Sequence, residues 1–462
     1  MFEPTPTEQI RVRSRQQALA LVAFALIALL FPFIYGLTLP ILVALKTEFA
    51  VSATTFSLSL SASTLAGVIA TPLAGRAADS IGARPTLLVI TIIAVCGGLI
   101  SGFAPSFGFF LAGQILTGCG LAGIPAMFVM MRSAFRPDQV KLATGLVVAM
   151  LTAGEGLALL LAGPLTMSLS RALVYAIPSS MLLVALLALA ASGSSEPKKK
   201  ITANSIPWTA AILLSLGLLG LFAGFNVALE FGWGLVPAAL FSASALFFVL
   251  WFVREKRAAD PLVPLTLVAK RGVWPPMLLA AAEGATLAAT SFLVIQRIAL
   301  PKATGYGLDA DPVATGVFLF ASAVAGIIAA PLAGKLAGRV GTGLTATLGA
   351  ALLSTGALLL LFTSSQMVVV GLVVVSIGSA ASSSSAYAAA TLSAPSDEVG
   401  MSTAMVSISR SLGLAIGAQL AASVLVDPDL PQTAFTLGLL LAAAIAATGL
   451  VTSTCFPKDA RR

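Results

Sequence analysis

Glu155, between Gly154 and Gly156, Glu283, followed by Gly284, and Arg410 each stand inside a long apolar stretch. A charge at bilayer depth costs roughly 2.5–3.5 kcal/mol on insertion scales, so such residues face a protein interior or a watery cavity and are candidates for ion or substrate paths. Two carboxyls and one guanidinium can exchange a proton, pair with one another, or hold the polar part of a substrate. The sequence has no histidine, which removes imidazole as a proton carrier or metal ligand. Cys96, Cys119 and Cys455 are scattered, so neither a metal cluster nor a disulfide framework is expected. A third group is polar but uncharged: Ser376, Ser379, Ser382, Ser383, Ser384, Ser385 and Tyr387 crowd one apolar stretch, a density of hydroxyls that does not suit contact with lipid.

The elements that carry these residues are membrane spans. The chain is 58% hydrophobic and only 10% charged, with a mean hydropathy of +1.01, whereas soluble domains carry about a quarter charged residues. About 20 apolar residues suffice to cross the hydrocarbon core. Runs of this kind lie near 17–42, 53–76, 84–104, 106–131, 141–165, 171–191, 207–228, 234–253, 274–296, 312–336, 342–363, 366–392, 400–425 and 433–455, giving fourteen expected helices. Glu155, Glu283 and Arg410 fall in the fifth, ninth and thirteenth.

The spans repeat. Ala70-Thr71-Pro72-Leu73-Ala74-Gly75-Arg76-Ala77-Ala78-Asp79-Ser80-Ile81-Gly82 returns 259 positions later as Ala329-Ala330-Pro331-Leu332-Ala333-Gly334-Lys335-Leu336-Ala337-Gly338-Arg339-Val340-Gly341, with seven of thirteen positions identical. Internal repeats of this kind mark secondary transporters, whose two halves rock around a site near the bilayer midplane. The offset makes spans 1–6 equivalent to 9–14 and leaves spans 7 and 8 as an insertion. The expected organisation is a six-helix bundle over 1–191, a linker region with the two inserted helices over 192–272, and a second six-helix bundle over 273–462. Between charges, the segment Arg254 to Arg271 carries an apolar stretch with Pro261 and Pro264, and reads as a lipid-surface segment with basic anchors.

Charge sets the topology. With the N-terminus inside, cytoplasmic segments hold 21 of the 26 Lys and Arg, while Lys46, Arg171, Arg297 and Lys302 fall in the opposite loops. Both termini are therefore expected in the cytoplasm. The net charge of +8 is a topology signal, which speaks against a nucleic-acid partner. No phosphate-cradling Gly-rich loop accompanies the pair Gly334-Lys335, so no nucleotide is expected to power this chain. The first apolar stretch, Ala18 to Leu45, is too long for a cleaved signal core.

Gly75-Arg76-Ala77-Ala78-Asp79-Ser80-Ile81-Gly82-Ala83-Arg84 resembles the cytoplasmic loop signature of the major facilitator superfamily, and Gly334, Lys335 and Gly341 belong to its looser second copy. Fourteen spans, the connector Arg254 to Arg271, and Gly154 with the pair Gly163-Pro164 in the fifth span resemble the fourteen-helix drug:proton antiporters. In the last motif the family's following Gly pair is replaced by Thr166-Met167. Two further positions depart from that subfamily: Phe31 stands where its members carry an Asp in the first span, and Gln114 where they carry an Arg in the fourth.

The resemblance implies an all-α, two-bundle fold with a 6 + 2 + 6 arrangement, and a monomer of the bacterial inner membrane without cofactor. It makes Asp79 a lock between the halves, set against a helix N-terminus or an Arg, and the twelfth span a wall of the substrate pathway with Ser379, Ser382, Ser383 and Tyr387. Phe31 and Tyr35 are candidates for an apolar pocket. Because the ninth span lines the cavity in this family, Glu283 ranks first as the coupling or substrate-contacting acid and Glu155 second, with Arg410 and Gln114 as further candidates; the competing role for each acid is a fixed pair with Arg410 or a neutral, hydrogen-bonded carboxyl. The expected function is proton-coupled efflux of small hydrophobic compounds or drugs. Alternatives are a metabolite or natural-product permease and, more distantly, a polytopic membrane enzyme, for which the loops offer no catalytic constellation.

Overall fold

The computed structural model describes residues 6–38, 48–51, 53–191, 207–258, 261–301, 307–309, 312–424 and 432–456. Lys198 to Lys200, Lys46, Lys302 and the last six residues lie outside them, and the side chains of Arg11, Arg13 and Arg15 do too. The described residues form long helices: α1 (Pro6–Gly36), α2 (Ala53–Ser80), α3 (Ala83–Phe103), α4 (Phe107–Ala134), α5 (Pro137–Ser168), α6 (Arg171–Ala191), α7 (Trp208–Phe231), α8 (Leu235–Arg257), α9 (Trp274–Ala299), α10 (Pro312–Val340), α11 (Thr342–Leu359), α12 (Ser365–Ser393), α13 (Val399–Val424) and α14 (Gln432–Thr454). Thirteen hold a stretch of at least 18 residues apolar enough to cross a bilayer. The other, α2, carries Ser or Thr at nine of its 28 positions and at 1.5 Å per residue is about 40 Å long, ample for a crossing. Helices are what an apolar environment demands, because each N–H and C=O must find its partner within the segment. The fold class read from the sequence is the one observed, all-α with two bundles.

The repeat is visible in the backbone. Pro72 and Pro331 lie inside α2 and α10, and the glycines that end the two copies, Gly82 and Gly341, both hold positive φ, 121° and 96°. That conformation is cheap only without a Cβ, so the turns into α3 and α11 require glycine.

In the first bundle α1 packs on α5 and α6, and α3 on α4 and α6; in the second α9 packs on α13 and α14, and α11 on α12 and α14. The halves meet along α2–α13 and α5–α10, two seams that exchange under the repeat. Between them the repeat brings equivalent residues face to face. Phe128 of α4 stacks on Tyr387 of α12 with ring centroids 4.8 Å apart, and Arg132 Nη1 donates to the Thr391 carbonyl at 2.7 Å. Each pair is again 259 positions apart, which puts the pseudo-twofold axis between them.

Two sequence expectations are corrected. Arg297 is not a loop residue: α9 continues to Ala299, and Arg297 is 1% exposed in its last turn, donating to the carbonyls of Leu360 and Phe362. Those carbonyls end α11, and the guanidinium supplies the donors that the helix terminus lacks. Arg171 does the same at the end of α3, through Ser101 and Ala104.

The connector is the second correction. Leu262, Val263 and Leu267 are buried, in a core that includes Val68 of α2, Leu214 of α7 and Met405 of α13, and so do not lie on lipid. Buried Glu255 accepts from the Val263 N–H and turns the chain inward after α8. At the far end Lys270 pairs with Glu398, just before α13, at 3.2 Å. The inserted α7 and α8 pack on each other, and α7 also touches α2 and α13.

Candidate functional site

A cavity of about 310 Å³ lies between the halves, walled mainly by apolar side chains. Tyr35 enters from α1, Thr64 from α2, Glu155 from α5, Ser379 and Ser383 from α12, and Arg410 from α13; Glu155 and Arg410 are the charged residues lining it. A neighbouring chamber of about 190 Å³ shares Thr152, Glu155, Ser379, Ala380 and Arg410, and extends between α5, α9 and α10. The two carboxyls take different positions around Arg410. Glu283 is fully buried, accepting from Arg410 Nε at 2.9 Å, from Arg410 Nη2 at 3.5 Å and from the Ser379 hydroxyl. Glu155 faces both cavities and, among the described residues, makes no hydrogen bond or ion pair.

This geometry gives different places to two acids that the sequence reading ranked with Glu283 first. Glu283 does not line either cavity; it neutralises and orients Arg410 from behind, both residues belonging to the second bundle. Glu155 belongs to the first bundle and lines both cavities together with Arg410 of the second. With both carboxyls ionised, the trio carries one net negative charge in a mostly apolar space. A proton or a cationic group neutralises it.

The hydroxyls are sorted by packing. Residues Gly378 to Thr391 of α12 are buried on every face. Ser379 and Ser383 reach the cavity, while Ser382 packs against Gly349 of α11. Tyr387 contributes its ring to the axis stack, and its hydroxyl meets Ser407 Oγ at 3.0 Å. Tyr35 lines the cavity with its hydroxyl 2.7 Å from Thr64 Oγ1. Phe31 is 2% exposed and packs against Gly120 and Gly123, where α4 tightens into a 3₁₀ turn at Cys119–Ala122; it stays in the core of the first bundle. Gln114 is also enclosed there. It donates to Ser101 and accepts from Thr38, whose hydroxyl lies 2.9 Å from that of Tyr175.

Near the basic loops, Asp79 is 5% exposed and accepts from the N–H groups of Gly400 and Met401, both at 2.7 Å. These amides are in the first turn of α13, where helix N–H groups lack partners and the dipole favours a negative charge. The carboxylate of one half therefore caps a helix of the other. Gly75 lets the backbones meet, since a Cβ there would lie 2.7 Å from both Ala404 Cβ and the Gly400 carbonyl. Arg84 donates to the end of α6 at Ala190 O, 2.5 Å. Gly334 makes the corresponding close approach of α10 to the Lys141 backbone in α5. Gly154 brings α5 against the Leu29 carbonyl of α1; Gly163 and Pro164 lie in α5, their side-chain surroundings outside the described residues.

Three residues at the cavity or between the halves were not singled out in the sequence. Arg132 donates to the Thr391 and Ala394 carbonyls, and Lys141 to Ala337 O at 3.1 Å. Phe222, from the inserted α7, lines the cavity. Basic residues near helix ends satisfy the topology rule, and nothing in their spacing separates a carbonyl-binding Arg from a solvated one.

The chain is similar to a uridine/deoxyuridine transporter of Lactococcus lactis subsp. cremoris, 26% identical over 69% of this chain and 69% of that protein. It is also similar to a lincomycin resistance protein of Streptomyces lincolnensis, 26% identical over 74% and 69%, and to a bacillibactin exporter of Bacillus subtilis, 28% identical over 24% and 29%. In fold it matches the human organic anion transporter MFSD10 (TETRAN), with a TM-score of 0.69 and 16% identity over 95% of this chain and 99% of that one. The Major Facilitator Superfamily profile matches residues 24–296, 187–418 and 284–461. A multi-pass membrane chain with two repeated bundles around a shared cavity, matching that profile over nearly its whole length, is a secondary transporter of small molecules and belongs to the Major Facilitator Superfamily.

Proposed function

We propose that this transporter exports small hydrophobic compounds in exchange for protons, in the manner of the fourteen-helix drug:proton antiporters, with its termini in the cytoplasm. The observation that carries the reading is the Glu155 carboxyl, paired with none of the described residues, facing a mostly apolar cavity that it shares with an Arg410 already held by Glu283. Apolar walls take the body of the substrate and the carboxylate takes a cationic or donor group. Proton and substrate then compete for one group, and competition for a shared site is the simplest form of exchange. Protonation of Glu155 also removes its attraction to Arg410 across the halves, so the same event alters the balance between conformations. By linkage, a proton that weakens substrate binding is itself displaced by substrate to the same degree.

Cavity hydroxyls from Thr64, Ser379, Ser383 and Ser407 support a second reading, a permease for a polar metabolite; one relative is a nucleoside transporter and another a resistance protein. The deciding experiment is reconstitution into vesicles, an imposed pH gradient, and flux of a panel containing lipophilic cations and nucleosides. Gradient-driven movement of lipophilic cations against the proton flow is expected. Flux of nucleosides alone, or flux indifferent to the gradient, would overturn the antiporter reading.

A further inference from the structure

We infer that the inserted helix α7 forms part of the substrate cavity wall, and that Phe222 sets the width of substrate the cavity admits; this deepens, and rests on, the transport reading above. Among the described lining residues, Phe222 is the one from outside the two six-helix sets. It is 5% exposed, in one apolar core with Leu218 of the same helix, Val68 of α2 and Met405 and Ile408 of α13. Its ring therefore reaches the cavity along the seam between α2 and α13. Among the described residues neither inserted helix packs closely on the equivalent seam, α5–α10, and there the space continues into the second chamber, which Leu160 and Phe320 line. One flank of the cavity is thus closed by an added aromatic side chain and the other is extended.

A phenyl ring at the wall restricts width without changing charge. Replacing it by methyl enlarges an apolar wall, and indole narrows the space. The effect is a size filter and leaves the Glu155–Arg410–Glu283 group untouched.

The test uses the full chain with Cys96, Cys119 and Cys455 replaced by Ala and a single cysteine at Ser411, which lines the first cavity but not the second. Methanethiosulfonates bearing ethylammonium, ethyltrimethylammonium and propyltriethylammonium groups report width through their relative rates. In Phe222→Ala the bulkiest reagent should gain about tenfold over the smallest, the scale on which one methylene discriminates in an apolar pocket. Phe222→Trp should shift the ratio the other way, and Leu219→Ala, at an exposed position of the same helix, should leave it unchanged. Equal ratios in Phe222→Ala, Phe222→Trp and the parent would overturn the inference, as would a rise common to all three reagents. Labelling needs no proton gradient, so failed gradient-driven flux contradicts the transport reading and not the wall assignment.

Discussion

The α2–α13 and α5–α10 seams are built from equivalent residues and locked by opposite charges. In the first, Gly75 meets the backbone at Gly400, and Asp79 takes the two N–H groups at Gly400 and Met401. In the second, Gly334 meets the backbone at Lys141, and Gly338 stands where the acid would be. Lys141 Nζ instead reaches Ala337 O near the C-terminus of α10. The difference follows from where the partner helices begin. α13 starts at Val399, so Gly400 and Met401 present unpartnered N–H groups. α5 starts at Pro137, which puts Lys141 past the first turn, its amide inside the helix ladder. A carboxylate has nothing to cap there; a cation facing helix carbonyls does. The two halves repeat their backbone fit and not their electrostatics, so the seams need not open together.

The comparison is broken most directly at Asp79. Hydrogen bonds to a charged group are worth about 1.5–3 kcal/mol each, and Asp79→Ala removes two. Hydrogen exchange should accelerate by about 10-fold or more at the start of α13, with the start of α5 unchanged. Equal exchange in variant and wild type would show the carboxylate to be inert. Lys141→Met is the matching cut on the other seam. It removes one partly buried bond where Asp79→Ala removes two, so opening near Ala337 should rise by less than the Asp79 variant causes at α13. The smallest effect is expected from Gly338→Asp. With no free N–H groups to cap, the new acid gains at most the roughly 0–1 kcal/mol of an exposed ion pair with Lys141, and in the Asp79→Ala background it should not restore protection at Gly400. Restored protection would contradict the explanation from helix starts.

How far the sequence carried this picture depends on the kind of interaction. The repeat, the spans and the loop motif were legible because they are periodic or local: Gly82 and Gly341 need positive φ whatever surrounds them. The places of Glu283 and Glu155 were not, and the family resemblance put Glu283 first. Both are acids beside glycine in apolar spans, and only packing decides that one lies behind Arg410 and the other before the cavity. Arg132 and Lys141 were hidden by the topology rule itself, since a positive charge at the loop end of a helix satisfies it whether the residue meets water or a carbonyl of the other half. The connector misled for a related reason. Pro, charge and apolar residues suit a membrane surface, and only the partners of Leu262 and Leu267 reveal a buried segment.

Under the proposed function the charge trio couples transport to protons, and the central claim is that Glu155 is its exchangeable member. The most direct measurement compares Glu155→Gln with Glu283→Gln in vesicles, following both gradient-driven accumulation and substrate exchange without a gradient, together with substrate affinity across pH. The account predicts that Glu155→Gln loses accumulation and the pH dependence of binding while exchange persists. Glu283→Gln, which leaves Arg410 without its fixed partner, should impair both fluxes. Undiminished proton-driven accumulation in Glu155→Gln would contradict the claim.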